Sequence, residues 1–172
     1  AQAVSVARQA DVILVAAGED QNWSAEAACR TDITLPASQR DLLKELKKTG
    51  KPIGLVLMNG RPLELTWEDE NMDAILEAWY PGTMGGHAIA DVIAGDYNPA
   101  GRLPLTFYAS SNDLPDFEDY DMSNRTYRYF KGKALFPFGH GLSYTSYEYS
   151  DAGTDSFVYS PGDKVKVSFS VK

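Results

Sequence analysis

The sequence predicts an α/β fold, a three-layer sandwich around a mainly parallel sheet, followed by the opening of a separate β-rich unit. Three observations predict it. Apolar, β-branched runs alternate with helix-period stretches in the order strand, helix, strand, strand, helix, strand, the pattern of an open α/β sheet. Runs such as Val12–Ala17 and Ile53–Met58 carry no polar interruption, as strands covered on both faces do. From Tyr147 the texture changes to period-two alternation through Val165, Val167, Phe169 and Val171.

Taken in order, residues 1–10 place Ala3, Val4, Val6, Ala7 and Ala10 at helical spacing with no start signal ahead of them. Residues 11–18 read as a buried strand. Pro36 suits a helix's first turn, and behind it Leu42, Leu43 and Leu46 form an apolar stripe; Lys44, Lys47 and Lys48 favour the negative end of the dipole, and Gly50 suits the cap. Residues 53–58 form a second strand and 74–80 a third. Residues 85–95 form a second helix, with Ala88, Ile89, Val92 and Ile93 expected to face inward. Beyond Pro104–Phe107, residues 108–146 read as a long surface strap with short strands. The expected division is 1–146 for the α/β domain and 147–172 for the β-rich unit, with both ends cut from a longer polypeptide.

With 172 residues, 44% hydrophobic and 23% charged, the composition is globular. Sixteen Lys and Arg against twenty-four Asp and Glu give a net charge of −8, which argues against a nucleic-acid partner. No apolar run approaches the roughly 18 residues of a membrane span. A single cysteine, Cys29, excludes an internal disulfide framework, and two histidines without HExxH spacing argue against a metal. No cofactor motif stands out.

Chemistry concentrates in residues 19–35, a polar connection leaving the carboxyl end of a buried strand, where open α/β sheets bind ligands. Such connections usually take about 2–6 residues, so this one is too long for a simple tie. It holds Glu19, Asp20, Glu26 and Asp32. Glu26 stands among Ala25, Ala27 and Ala28, a setting expected to desolvate the carboxyl, raise its pKa and fit it to donate a proton. Arg30 can pair with Glu26 if the segment turns helically; the preferred reading is that it holds Glu19 or Asp32 and fixes the loop. Trp23 is read either as loop packing or as a platform for a sugar ring.

The remaining candidates read as structure. Gly82–Gly86 precedes a helix without GxGxxG or a following Lys-Ser/Thr, so helix–sheet packing is the preferred reading. His87 and His140 lie in different elements with no GxSxG elbow, and Cys29 has no histidine near it in sequence. Asn22 and Asn124 begin glycosylation sequons that matter only in a eukaryotic secretory setting.

Three long blocks, EAACRTDITLPASQRDLLKELKKTGKPIGLVLMNGRPLEL, AILEAWYPGTMGGHAIADVIAGDYNPAGRLPLTF and YRYF with LFPFGHGLSYTSYEYS, resemble the carboxyl-terminal α/β-sandwich domain of glycoside hydrolase family 3, bacterial β-glucosidase type. Residues 151–172 resemble the start of the fibronectin type III-like domain that commonly follows. The resemblance implies a retaining exo-acting β-glycosidase whose upstream (β/α)₈ barrel carries the nucleophile while this domain supplies the acid/base. It places that role on Glu26 within Glu26-Ala-Ala-Cys-Arg30-Thr-Asp32, with Arg30 and Asp32 as loop support and Trp23 against substrate. Met84, where an acidic residue is usual, and His87, where Asn is common, depart from the pattern. The implied substrate is a β-linked glucoside or oligosaccharide, the implied setting periplasmic or secreted, and a chain without the nucleophile is expected to be inactive alone. A β-xylosidase, a non-catalytic carbohydrate-binding module and a flavodoxin-like nucleotide domain are the alternatives; the last fits poorly with an acidic loop that repels phosphate.

Overall fold

The computed structural model describes residues 2–172. Helix α1 (Gln2–Ala7) leads into strand β1 (Ile13–Gly18), then helix α2 (Ala37–Lys47), strand β2 (Ile53–Met58), helix α3 (Thr66–Asn71), strand β3 (Ala74–Glu77) and helix α4 (Gly85–Ala94). The three strands form one parallel sheet in the order β1-β2-β3, with Ile13 opposite Ile53, Gly18 opposite Met58, and Leu57 opposite Glu77. The α/β character is the expected one.

Helix α3 is a correction to the expected order. Residues 53–58 and 74–77 pair in parallel, and parallel neighbours need a crossover that a direct strand-to-strand succession cannot provide. Helix α3 supplies it, with Glu68 and Asp69 in its first turn favouring the positive end of its dipole. Strand β3 is also shorter than expected. Trp79 takes φ 51°, outside any strand conformation, and its N–H turns to the Glu77 carboxylate (2.9 Å) instead of to a neighbouring strand.

One face of the sheet carries the core. Ile13 and Ala17 from β1 and Ile53, Leu55 and Leu57 from β2 pack with Leu43 and Leu46 of α2, Met72 and Phe107, all buried. Each Leu, Ile, Met or Phe side chain among them contributes about 1.5–3 kcal/mol on burial. The other face of β1 is open: Leu14 is 57% exposed and Ala16 is exposed, so this strand is not covered on both faces. Helix α4 gives no residue to the core; Ile89 and Val92 are half-buried, whereas Ala88 and Ile93 face solvent, contrary to the inward stripe expected of them.

The strap is fastened by Phe107. Its N–H donates to the Phe136 carbonyl (2.9 Å), and its ring lies 6.1 Å from Trp79 and 6.0 Å from Phe136. The strap holds one β-bridge and a one-turn helix, α5 (Thr126–Tyr129), in place of the short strands expected. At the carboxyl end β4 (Tyr149–Thr154) and β5 (Val167–Val171) form an antiparallel pair with a register shift between Ser150 and Gly153. No helix among the described residues is long and apolar enough to cross a membrane.

Candidate active-site loop

The loop of residues 19–35 leaves the carboxyl end of β1 at a point fixed by two unusual contacts. Gly18 sits so close to β2 that a Cβ there would stand 1.7 Å from the Met58 carbonyl oxygen, at φ +143°. The Gln39 side chain then closes the strand end, accepting from the Gly18 N–H (2.9 Å) and donating to its carbonyl (3.0 Å). Helix α2 thereby satisfies backbone groups that have no strand partner.

Glu19 follows directly and is 5% exposed. Its carboxylate receives an ion pair from Arg30, a second from Arg61 Nε at 3.1 Å, and a hydrogen bond from Ser24 Oγ at 2.8 Å. A buried carboxylate with two arginines is matched in charge and hydrogen bonding, the condition under which burial is tolerated. Of the partners left open for Arg30, Glu19 is the one found. The Tyr80 hydroxyl donates to the Glu19 and Asp20 carbonyls, both at 3.2 Å, tying the connection after β3 to the same root.

Glu26 lies at a turn tip. The Ala28 N–H donates to the Ala25 carbonyl (3.0 Å) and Ala27 takes φ 59°, the arrangement of a turn whose third residue is left-handed. The segment is therefore not helical, and no Glu26–Arg30 pair forms. Glu26, Ala25 and Ala27 are all exposed, so the alanines do not desolvate the carboxyl as their composition suggested. The tip presents Glu26 outward while the loop's ends are clamped below it.

Asp32 is exposed and accepts through Oδ1 from the Thr34 N–H (2.8 Å) and Oγ1 (2.7 Å). These bonds, chiefly the side-chain one, hold its carboxyl below the ordinary range, with help from Arg30 and Arg40. Trp23 is 39% exposed, and the Arg30 guanidinium lies 4.6 Å from its ring centroid. One ring thus meets a cation, a favourable contact for an indole.

Beyond the carboxyl ends of the strands the structure adds Arg61, Tyr80 and Glu77. Glu77 ends β3, and burial pushes its carboxyl up to about 7 against a single opposing hydrogen bond from the Trp79 N–H. Arg61 and Tyr80 follow β2 and β3, so the strand-end rule that singled out residues 19–35 also reaches them. His140 stacks on Phe136 at 4.9 Å, His87 and Cys29 are exposed, and no cluster of three His, Cys, Asp or Glu among the described residues can hold a metal ion.

Comparison with known proteins turns this geometry into a kinship. The family model described as the glycosyl hydrolase family 3 C-terminal domain matches residues 1–144. The chain belongs to glycosyl hydrolase family 3. It is 48% identical over 182 aligned residues to the "Periplasmic beta-glucosidase" of Salmonella typhimurium, covering 99% of this chain and 24% of that protein. It is 53% identical over 134 residues to the "Xylan 1,4-beta-xylosidase" of Xylanibacter ruminicola, covering 76% of this chain and 15% of that one. A solved structure, the b-glucosidase EmGH1 from Erythrobacter marinus, superposes with TM-score 0.85 at 36% identity over 99% of this chain and 24% of its own. The chain thus spans about a quarter or less of the length of these relatives.

Proposed function

We propose that this chain is the acid/base-bearing part of a retaining, exo-acting β-glycosidase of β-glucosidase type, with residues 1–146 as the α/β-sandwich domain and 147–172 as the start of a fibronectin type III-like domain. The observation that carries the reading is the clamped loop: Glu19 is neutralised by two arginines at the root while Glu26 stands exposed at a turn tip beyond the strand ends. A carboxyl so placed can reach the glycosidic oxygen of a substrate bound over the sheet edge. Glu26 protonates the departing oxygen, then takes a proton from the water that releases the sugar; retention needs a second carboxylate about 5–5.5 Å away as nucleophile. That group is assigned to an upstream barrel. Arg30 and Asp32 hold the loop, and Trp23 lies on the substrate side. The β-glucosidase type is supported by the Salmonella relative, which matches nearly the whole chain. The periplasmic designation of that relative also supports a periplasmic or secreted setting. A β-xylosidase is the second reading, favoured by the higher identity to the Xylanibacter protein over a shorter stretch.

The test uses the full-length protein containing this chain, assayed on aryl β-D-glucoside and aryl β-D-xyloside. Glu26→Ala is expected to lower turnover of glycosides with poor leaving groups about 10²–10⁴-fold, the worth of general acid catalysis, and to spare activated aryl glycosides much more. Azide is expected to speed the activated substrate by attacking the glycosyl-enzyme, giving a β-glycosyl azide. If Glu19→Ala shows the leaving-group dependence and the azide product while Glu26→Ala does not, the acid/base role passes to Glu19.

A further inference from the structure

The strap carries a short segment, residues 115–125, whose shape is set by one side chain. Arg125 donates through Nε to the Asp121 carbonyl (3.0 Å) and through Nη2 to the carbonyls of Asp116 (3.4 Å) and Asp119. Asp116, Asp119 and Asp121 turn their Oδ1 atoms onto the N–H groups of Glu118 (2.9 Å), Asp121 (2.9 Å) and Ser123 (2.7 Å). The segment is held by polar bonds to its own backbone, with little burial. On it Phe117 is 69% exposed.

That ring is not stray. It closes an open depression whose other walls are Cys29, Arg30, Thr31 and Asp32, the second half of the loop that bears Glu26. Arg30 lines this depression and also lies over Trp23, and of the two rings Phe117 is the more exposed. Because the backbone under this ring is held by its own hydrogen bonds, little backbone freedom is lost when a ligand stacks on it.

We infer that Phe117 is a specificity-determining contact for the leaving-group side of a β-glycoside, stacking on its sugar or aryl ring. This rests on the glycosidase reading above. The terminal sugar and the leaving group meet at the oxygen that Glu26 protonates, so a ring beside that loop faces one of the two. An exo-acting enzyme encloses the terminal sugar and leaves the remainder of the substrate toward solvent; an open depression suits the remainder.

The experiment compares three substrates of the full-length protein that share one terminal sugar: a β-linked disaccharide, an aryl β-glycoside, and a glycosyl fluoride, whose leaving group has no ring to stack. Phe117→Ala is expected to lower kcat/KM about two- to tenfold on the first two, mainly through KM, and to leave the fluoride unchanged. Phe117→Trp is expected to restore the loss. Tyr120→Ala, at a 90% exposed position of the same segment, is expected to change none of the three. Equal loss on the fluoride, or no loss on any substrate, overturns the inference. If the unsubstituted protein hydrolyses none of them, the glycosidase reading itself falls, an outcome distinct from an active protein indifferent to Phe117.

Discussion

Three glutamates at one sheet edge differ in what surrounds them. Glu19 is buried against two arginines, Glu26 is exposed, and Glu77 is half-buried with one N–H donor and a buried, unpartnered Oε2. For Glu77 the consequence is a pH-dependent fold. Its carboxyl ordinarily titrates near 4.5, and in the folded chain near 7. Between those values the unfolded chain releases a proton that the folded chain keeps, so the contribution of this residue to stability is intact below the lower value and lost as pH rises through the higher. Glu77→Gln, which mimics the protonated side chain, is expected to leave stability unchanged at about pH 4 and raise it by on the order of 2 kcal/mol at about pH 8, read from urea midpoints. An equal effect at both pH values would assign the gain to packing. The pairing of Arg30 within the loop was legible as a short set of partners, because Glu19 and Asp32 are the carboxylates the chain brings near it. Glu77 was not, since AILEAWY reads as a plain apolar strand and nothing in its neighbours records which face the carboxylate takes.

At the scale of elements, strands and long helices were legible because each combines periodicity with punctuation. Helix α2 ends where Lys47 and Gly50 suggest, Gly50 standing at φ +72°. Helix α3 escaped notice because six residues are too few for an apolar stripe to register. The inward stripe of α4 failed for a different reason: hydrophobic spacing tells which residues share a face, not whether anything covers that face. The ends of β1 and α2 offer a direct comparison of two glycines. Gly18→Ala forces a Cβ into the Met58 carbonyl and is expected to cost at least about 3 kcal/mol. Gly50→Ala meets open space and is expected to cost only about 1 kcal/mol, from backbone strain alone. Thermal melting of the two variants checks the contrast, and similar losses would remove the steric account of the strand end.

For the molecule as a whole, surface exposure divides the chain. The sheet and α2 bury a continuous core, while Val165, Val167, Phe169 and Val171 at the carboxyl end are each about half to two-thirds exposed, so β4 and β5 stand as a hairpin with little burial of their own. The alternation of that segment foretold strands; it did not foretell how little would cover them. On the proposed division of roles, with the nucleophile on an upstream barrel, the 172-residue chain purified on its own is expected not to hydrolyse aryl β-glucosides, since Glu26 cannot both protonate the leaving group and trap the sugar. Turnover abolished by Glu26→Gln would place both functions within these residues. The Arg30–Glu19 contact has a further consequence when the loop is viewed as a polymer. It joins positions eleven apart, so the intervening residues form a ring closed by an ion pair and rooted in the end of β1. The entropy of closing a ring grows only with the logarithm of its length, about 0.6 kcal/mol for each doubling. Residues 25–29, beyond the Trp23 and Ser24 contacts to that anchorage, can therefore be lengthened, shortened or rewritten at small expense to the fold, and the reach of the glutamate at the tip is free to diverge while its anchorage stays the same.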